Sequence, residues 1–110
     1  MTDGSLVWAR VREDIAATVL VLRAVGPTLG RPYVDTLKDS TYANMKELRV
    51  ASGNSVVRIA FAFDPDRAAI LLLGGEKQGV NERRFYKQLI ARADALYARH
   101  LADLNRKKRK

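Results

Sequence analysis

Three short strand-like runs joined by hairpin-sized links constrain the fold of this chain most. The runs are NMKELRV (44–50), VVRIAFAF (56–63) and AAILLLG (68–74). The links ASGNS and DPDR are rich in turn formers, and Pro65 suits the second position of a tight turn. Because such links join antiparallel neighbours, the sequence predicts an antiparallel β-meander of at least three strands. The third run is apolar on both faces, which predicts the central or best-covered strand.

Two amphipathic helices are predicted on either side of this meander. Apolar residues recur at three- and four-residue steps from Val7 to Val25, and Gly26-Pro27 signals the helix end. The second helix is predicted from Asn81, a good N-cap, through Leu104, packed on one face of the sheet. The expected core positions are Trp8, Val11, Ile15, Val19, Leu22, Phe85, Leu89, Ala93, Leu96, Leu101 and Leu104. The fold class is therefore predicted to be α+β, with residues 28–43 as a long ordered connection.

The chain is predicted to form one domain, residues 1–104, followed by a disordered basic tail, residues 105–110. The formal net charge of the 110 residues is +8, and residues 106–110 are all Lys or Arg. This tail has nothing to bury and repels itself. Its charge attracts polyanions in a salt-dependent manner, which says nothing about sequence specificity.

The absence of some residue types excludes several kinds of chemistry. The chain has no cysteine, so disulfides, Cys-ligated zinc and thiol catalysis are excluded. His100 is the sole histidine, which argues against zinc hydrolase and histidine-pair mechanisms, and we assign it no function. We predict no metal and no cofactor. Asp3 lies where a signal peptide needs positive charge, and no apolar run spans a bilayer, so we predict a cytoplasmic protein without membrane attachment.

Arg58 interrupts a strongly β-forming run and shares a strand face with two alanines, which leave room for a ligand. Its planar, permanently charged side chain matches phosphate oxygens, although an ion pair with Glu47 or Asp64 is the alternative. If Leu48 faces the core, Glu47 and Arg49 can join Arg58. Such a cluster could cleave RNA without metal, with Glu47 as the base, or Glu47 could be a salt-bridged structural carboxylate.

The segment GGEKQGVNERRFYK (74–87) is the other candidate region. Lys77 lies in a glycine-framed loop that lacks the spacing of a P-loop, and a plain strand-to-helix turn is the alternative. Tyr86 could stack on a base or donate its phenolic proton. The residues predicted to contact RNA phosphates are Lys46, Arg83, Arg84 and Lys87. A solvated helix face with one buried aromatic residue would explain most of the same residues.

Five blocks of the sequence, in order, resemble the RelE/HigB toxins of bacterial toxin-antitoxin modules, specifically the phage Gp49-like HigB branch. The blocks are GPTLGRPYVDTLK (26–38), NMKELR (44–49), VRIAFAFDPDR (57–67), AILLLGGEK (69–77) and ARADALYARHL (91–101). The resemblance implies a RelE-like helix-and-sheet fold. It also implies that Arg49, Arg58, Lys77 and Tyr86 match functional positions of the family. Relatives of this branch usually begin with an edge strand and an extra helix, so a shortened N-terminus is expected.

The resemblance further implies a ribosome-dependent mRNA endonuclease, an enzyme that inhibits translation. The expected partners are a helix-turn-helix antitoxin, the ribosome and mRNA, with DNA reached only through the antitoxin. The alternative is a non-catalytic module that binds nucleic acid or the antitoxin, such as an N-terminally truncated, inactive toxin. A metal-free cluster of Glu47, Arg49, Arg58, Lys77 and Tyr86 is compatible with the endonuclease.

Overall fold

The computed structural model describes residues 4–77 and 79–108 and confirms the predicted α+β fold. Helix α1 (Gly4–Val25) and a short 3-10 turn (Gly26–Thr28) precede strands β1 (Val34–Thr36), β2 (Lys46–Ser52), β3 (Ser55–Phe63) and β4 (Ala69–Gly75), and helix α2 (Glu82–Lys108) follows. The four strands form one antiparallel sheet in the order β1-β2-β3-β4. Neither helix of the described residues is long and apolar enough to cross a membrane.

Local turn chemistry explains the connections between these elements. Gly26 has a φ of 81°, a conformation that suits glycine and ends α1 as predicted. The β3–β4 link is the predicted tight turn, because the Arg67 N–H donates to the Asp64 carbonyl at 2.9 Å with Pro65 in the second position. Asn81 caps α2 by accepting a hydrogen bond from the Arg84 N–H at 3.2 Å.

The two faces of the sheet each bury their own apolar cluster. On the α1 face, Leu48, Val50 and Phe61 are fully buried and pack with Leu22. On the α2 face, the small residues of β3 let the helix approach closely. The buried residues of this cluster are Leu37, Met45, Ala60, Ala62, Leu89, Ile90, Ala93 and Tyr97. Strand alternation thus gives the sheet two separate apolar clusters, one on each face.

Two predictions of burial are wrong. Trp8 is 62% exposed because it lines an open groove between α1 and β4 rather than packing on the sheet. Leu96 is 37% exposed because Ala93 and Tyr97 fill the buried side of α2 at that level.

The third predicted strand, β4, is an edge strand and not the central one, so that prediction is also wrong. Its sequence is apolar on both faces because Leu73 packs with the cluster beneath α2 while Leu71 lines the groove beside α1. A bulge in the pairing with β3 lies between the Ala60 and Phe61 partners and shifts the register of β4.

The connection and the tail also depart from prediction. Residues 34–36 form β1, which pairs with β2 through Val34 opposite Leu48. Residues 105–108 are helical and not disordered, because lysine and arginine favour helices and are stabilised near a helix C-terminus. Lys108 also reaches the β3–β4 turn, with its Nζ 3.1 Å from an Asp66 carboxylate oxygen. Residues 109–110 lie outside the described residues.

Candidate functional site

Glu47 is the centre of a charged cluster on the α2 face. Its residue is only 3% exposed, an unusual degree of burial for a carboxylate. The Tyr86 hydroxyl donates to its Oε1 at 2.9 Å and lies 3.2 Å from its Oε2. The Arg49 guanidinium donates to Oε2 at 3.2 Å, and Arg58 Nε lies 3.6 Å from Oε1. The buried charge of Glu47 is therefore offset by two cations and one neutral donor.

The register of the sheet brings the two arginines together. Arg49 of β2 lies directly opposite Arg58 of β3, and Glu47 lies opposite Ala60. The small side chain of Ala60 leaves space above it, and Leu48 between the two charged residues of β2 is fully buried on the other face. The predicted condition, that Leu48 faces the core so that Glu47 and Arg49 can join Arg58, is thus met.

Both guanidinium groups retain unused hydrogen-bonding capacity. Within residues 4–77 and 79–108, the buried Nε atoms of Arg49 and Arg58 have no acceptor within hydrogen-bonding distance. The Arg49 side chain is 33% exposed and that of Arg58 is 14% exposed. The buried Nε atoms are not accessible to a ligand, but the exposed N–H groups of the same two side chains could bind an added anion.

Asp35 belongs to the cluster, although the sequence did not single it out. The β1–β2 pairing places Asp35 opposite Glu47, and its Oδ2 accepts from Arg49 at 3.3 Å and from Arg31 at 3.1 Å. The Thr36 backbone N–H, with the charges of Arg31 and Arg49, holds the pKa of Asp35 below its ordinary value. Arg49 is therefore shared between two carboxylates. Recognising this residue required knowing that β1 exists.

Tyr86 joins the cluster from α2, and Lys77 lies beside its ring. Lys77 Nζ lies 5.6 Å from the centre of the Tyr86 ring and 2.8 Å from Glu82 Oε1. That hydrogen bond and the charge of Lys77 lower the pKa of Glu82. Burial raises the pKa of Tyr86, and the hydrogen bond and charge of Glu47 raise it further against the opposing effect of Arg58. Tyr86 is therefore protonated at neutral pH.

An open groove of about 670 Å³ runs from this cluster along α2. It is lined by Thr36, Leu37, Lys38, Asp39, Glu47, Arg49, Glu82, Arg83, Tyr86, Lys87, Ile90, Ala91 and Asp94. Arg58 and Lys77 line a smaller hollow of about 190 Å³ instead. No described residue lines both hollows, but the Glu47–Arg58 ion pair and the Lys77–Tyr86 contact join side chains of one hollow to side chains of the other.

The predicted RNA-binding residues divide between the groove and other surfaces. Arg83 and Lys87, one helical turn apart, lie on the wall of the groove. Arg84 is exposed but does not line the groove, because it lies on a different face of α2. Lys46 shares its strand face with Leu48, opposite to Glu47, so the structure does not place it in the cluster.

Comparison with known proteins gives the family. Residues 8–98 match the family described as phage derived protein Gp49-like. The chain belongs to this Gp49-like family of HigB-type toxins. The predicted resemblance is confirmed.

Two curated relatives of this Gp49-like chain come from Mycobacterium tuberculosis (strain ATCC 25618 / H37Rv). "Putative toxin HigB2" is 48% identical over 102 residues, which cover 89% of this chain and 50% of the relative. "Putative toxin HigB3" is 56% identical over 81 residues, which cover 74% of this chain and 68% of the relative. The chain thus spans half the length of the first relative. No solved structure matches the chain significantly.

The types of side chain in the cluster limit the reactions that this Gp49-like chain could catalyse. In the part of the chain that the structure describes, no group of three or more His, Asp or Glu side chains is arranged to hold a metal ion. Arg49 forms ion pairs with both Glu47 and Asp35, so a positive charge already bridges these two carboxylates. The groups available at the cluster are the Glu47 and Asp35 carboxylates, a phenol and cationic side chains.

Proposed function

We propose that this protein is the toxin of a toxin-antitoxin module and acts as a ribosome-dependent mRNA endonuclease that inhibits translation. Two related proteins carry names that describe them as toxins. The observation that carries the enzymatic part is the contact of Glu47 with a phenol and two guanidinium groups beside an open groove. These are the groups that metal-free RNA cleavage needs: a base, an acid and cations at the phosphate.

In the proposed reaction, Glu47 accepts the proton of a ribose 2′-hydroxyl, and the 2′-oxygen attacks the adjacent phosphorus. Arg49 and Arg58 hold the phosphate oxygens, on which negative charge develops. The bond from phosphorus to the 5′-oxygen breaks, and Tyr86 gives its proton to that leaving oxygen. The products are a 2′,3′-cyclic phosphate and a 5′-hydroxyl. The hydrogen bond of 2.9 Å between Tyr86 and Glu47 then offers a path that returns the proton to Tyr86.

The remaining residues have supporting roles in this proposal. Lys77 adds positive charge beside the Tyr86 ring and so favours the phenolate that forms when the proton leaves. Arg83 and Lys87 contact phosphates along the groove and position the mRNA without reading its sequence. The proposal also includes a cytoplasmic location and neutralisation by a helix-turn-helix antitoxin. Only the antitoxin would contact DNA.

The test compares Arg58→Ala with Arg84→Ala in a cleavage assay on translating ribosomes. Loss of Arg58 removes a cation from the proposed phosphate site, and we expect cleavage to fall by about 10²–10³-fold. Arg84→Ala removes the same charge from a helix face outside the groove and should retain cleavage within a few fold. Circular dichroism and urea unfolding verify that both variants fold. Unchanged cleavage by folded Arg58→Ala would remove Arg58 from the mechanism.

A second candidate is a non-catalytic module that binds nucleic acid or the antitoxin. It is favoured by the burial of Glu47, whose oxygens already engage two arginines and a tyrosine, as in a structural ion network. Such a module would bind RNA without cleaving it, and binding would survive Arg58→Ala. Growth arrest on inducible expression, relieved by co-expression of a neighbouring helix-turn-helix protein, tests the toxin role independently of the chemistry.

A further inference from the structure

The outer edge of β4 is unpaired in the described part of the chain. Among residues 4–77 and 79–108, β4 is the last strand of the sheet and pairs only with β3. Its seven residues, AILLLGG, include no charged side chain and no proline. Natural edge strands usually carry such residues, which discourage pairing with another chain. The backbone groups along this edge are therefore available to a further strand.

An apolar groove lies beside this edge on the α1 face of the sheet. Its volume is about 620 Å³, and its walls include Val7, Trp8, Val11, Ile59 and Leu71. Three of these side chains are unusually exposed for their type, Val7 by 52%, Trp8 by 62% and Leu71 by 42%. An apolar surface next to an open strand edge is the combination that strand addition covers.

The charges at the two ends of β4 indicate which strand fits. Arg67 precedes the strand and Glu76 follows it, and both are exposed. Neither forms an ion pair with any residue that the structure describes. In an antiparallel pair of identical strands, the start of one strand lies near the end of the other. Each Arg67 would then approach the Glu76 of the other copy, at both ends of the pair.

We infer that β4 is a self-association edge, on which two copies of this chain pair antiparallel about a two-fold axis and form a continuous eight-stranded sheet. The axis is perpendicular to the sheet, so both α1 helices lie on the same side. The two apolar grooves then meet, and Leu71 and Trp8 of both copies are covered. The groove lined by Glu47, Arg49 and Tyr86 lies on the α2 face near β1 and β2, so the dimer leaves it open. The inference therefore does not depend on the proposed nuclease activity.

The overall charge of the chain does not prevent this association. Two copies of net charge +8 repel each other. At physiological salt, however, interactions between exposed charges are largely screened beyond about 8 Å. The seven residues of β4 carry no charge themselves, and Arg67 and Glu76 at its two ends are complementary. Dimerisation is therefore expected to weaken at very low salt, where the remaining basic residues repel over longer distances.

Sedimentation velocity and equilibrium of the purified full chain test the inference. We expect a monomer–dimer equilibrium in which Leu71→Lys raises the dissociation constant by roughly 30-fold, since each copy loses the burial of about half a leucine side chain. The matched control is Leu20→Lys on α1, which is 62% exposed and lies outside the groove, and it should leave the constant unchanged. Trp8, the single tryptophan, should show a blue-shifted emission in the dimer.

A charge swap tests the orientation of the two strands. Arg67→Glu places two like charges together at each end of the pair and should weaken the dimer by about 3–10-fold. Arg67→Glu combined with Glu76→Arg exchanges the two charges and should restore the wild-type constant. A chain that stays monomeric at high micromolar concentration would overturn the inference, and so would a dimer disrupted by Leu20→Lys but not by Leu71→Lys. Failure of the double variant to recover would overturn the antiparallel pairing.

Discussion

Replacing Tyr86 with phenylalanine removes one oxygen atom from the centre of the cluster and leaves the ring in place. The ring retains its edge-to-face contact with Phe85, whose centroid lies 5.2 Å away. What is lost is the hydroxyl that donates to Glu47 Oε1 at 2.9 Å. A hydrogen bond to a charged group contributes about 1.5–3 kcal/mol. Because Glu47 keeps both arginines, we expect the free energy of unfolding to fall by about 1.5 kcal/mol, the lower end of that range.

The effect on cleavage should be far larger than the effect on stability. If Tyr86 supplies the proton for the leaving 5′-oxygen, its loss should slow cleavage by about 10²–10⁴-fold. The assay is single-turnover cleavage of mRNA on programmed ribosomes, with urea unfolding measured on the same preparations.

A matched control separates catalysis from stability in this experiment. Tyr97→Phe also removes a hydroxyl, one that donates to the Phe63 carbonyl at 3.3 Å away from the groove. It should cost a similar or smaller free energy of unfolding and leave cleavage unchanged. Equal rates for Tyr86→Phe and the wild type would refute the assignment of Tyr86 as the acid. Equal losses in both variants would show that stability alone controls the rate.

Three further predictions concern the core, the pH dependence of stability and the basic groove. Leu48→Ala removes a fully buried side chain and should lower the free energy of unfolding by about 2–5 kcal/mol in urea titrations, a loss that a value below 1 kcal/mol would contradict. The hydrogen bond from His100, and after it those from backbone N–H groups of the β3–β4 turn, lower the pKa of Asp64 from 3.8. The ionised carboxylate therefore stabilises the folded protein above pH 3.8, and this stabilisation is lost as the pH falls through the lowered pKa. Asp64→Asn should therefore flatten the loss of stability as the pH falls below 3.8, and an unchanged profile would exclude this contribution. Arg83→Ala should reduce the salt dependence of RNA binding by about one unit in the log–log slope, whereas Arg84→Ala, outside the groove, should change it less.

Strand alternation and turn chemistry made most of the site predictable. The period of two put Glu47 and Arg49 on one face of β2, and the hairpin-sized link made β3 its antiparallel neighbour. These two facts suffice to bring Arg58 beside Glu47. The sequence predicted that α2 covers one face of the sheet but not which face, so the hydrogen bond from the Tyr86 hydroxyl to Glu47 was not predicted.

The parts that were missed depend on contacts distant in sequence. β1 has three residues and no alternation long enough to detect, and its pairing with β2 is what makes it a strand. Asp35 was missed for the same reason, although it holds Arg49. An apolar run such as β4 does not distinguish a central strand from an edge strand that faces an open groove. The basic end of α2 was predicted from charge repulsion, which helix propensity and the Lys108 contact to the sheet turn outweigh.

The chemical identity of the RNA ends is the most direct test of the proposed mechanism. Attack by the ribose 2′-oxygen, with Glu47 as base and Tyr86 as acid, must leave a 2′,3′-cyclic phosphate or its 3′-phosphate hydrolysis product on one fragment and a 5′-hydroxyl on the other. We predict these ends on mRNA recovered from translating ribosomes treated with the wild-type protein in the presence of a metal chelator that leaves the ribosomes intact. Fragments with 3′-hydroxyl and 5′-phosphate ends, or intact mRNA, would contradict the mechanism.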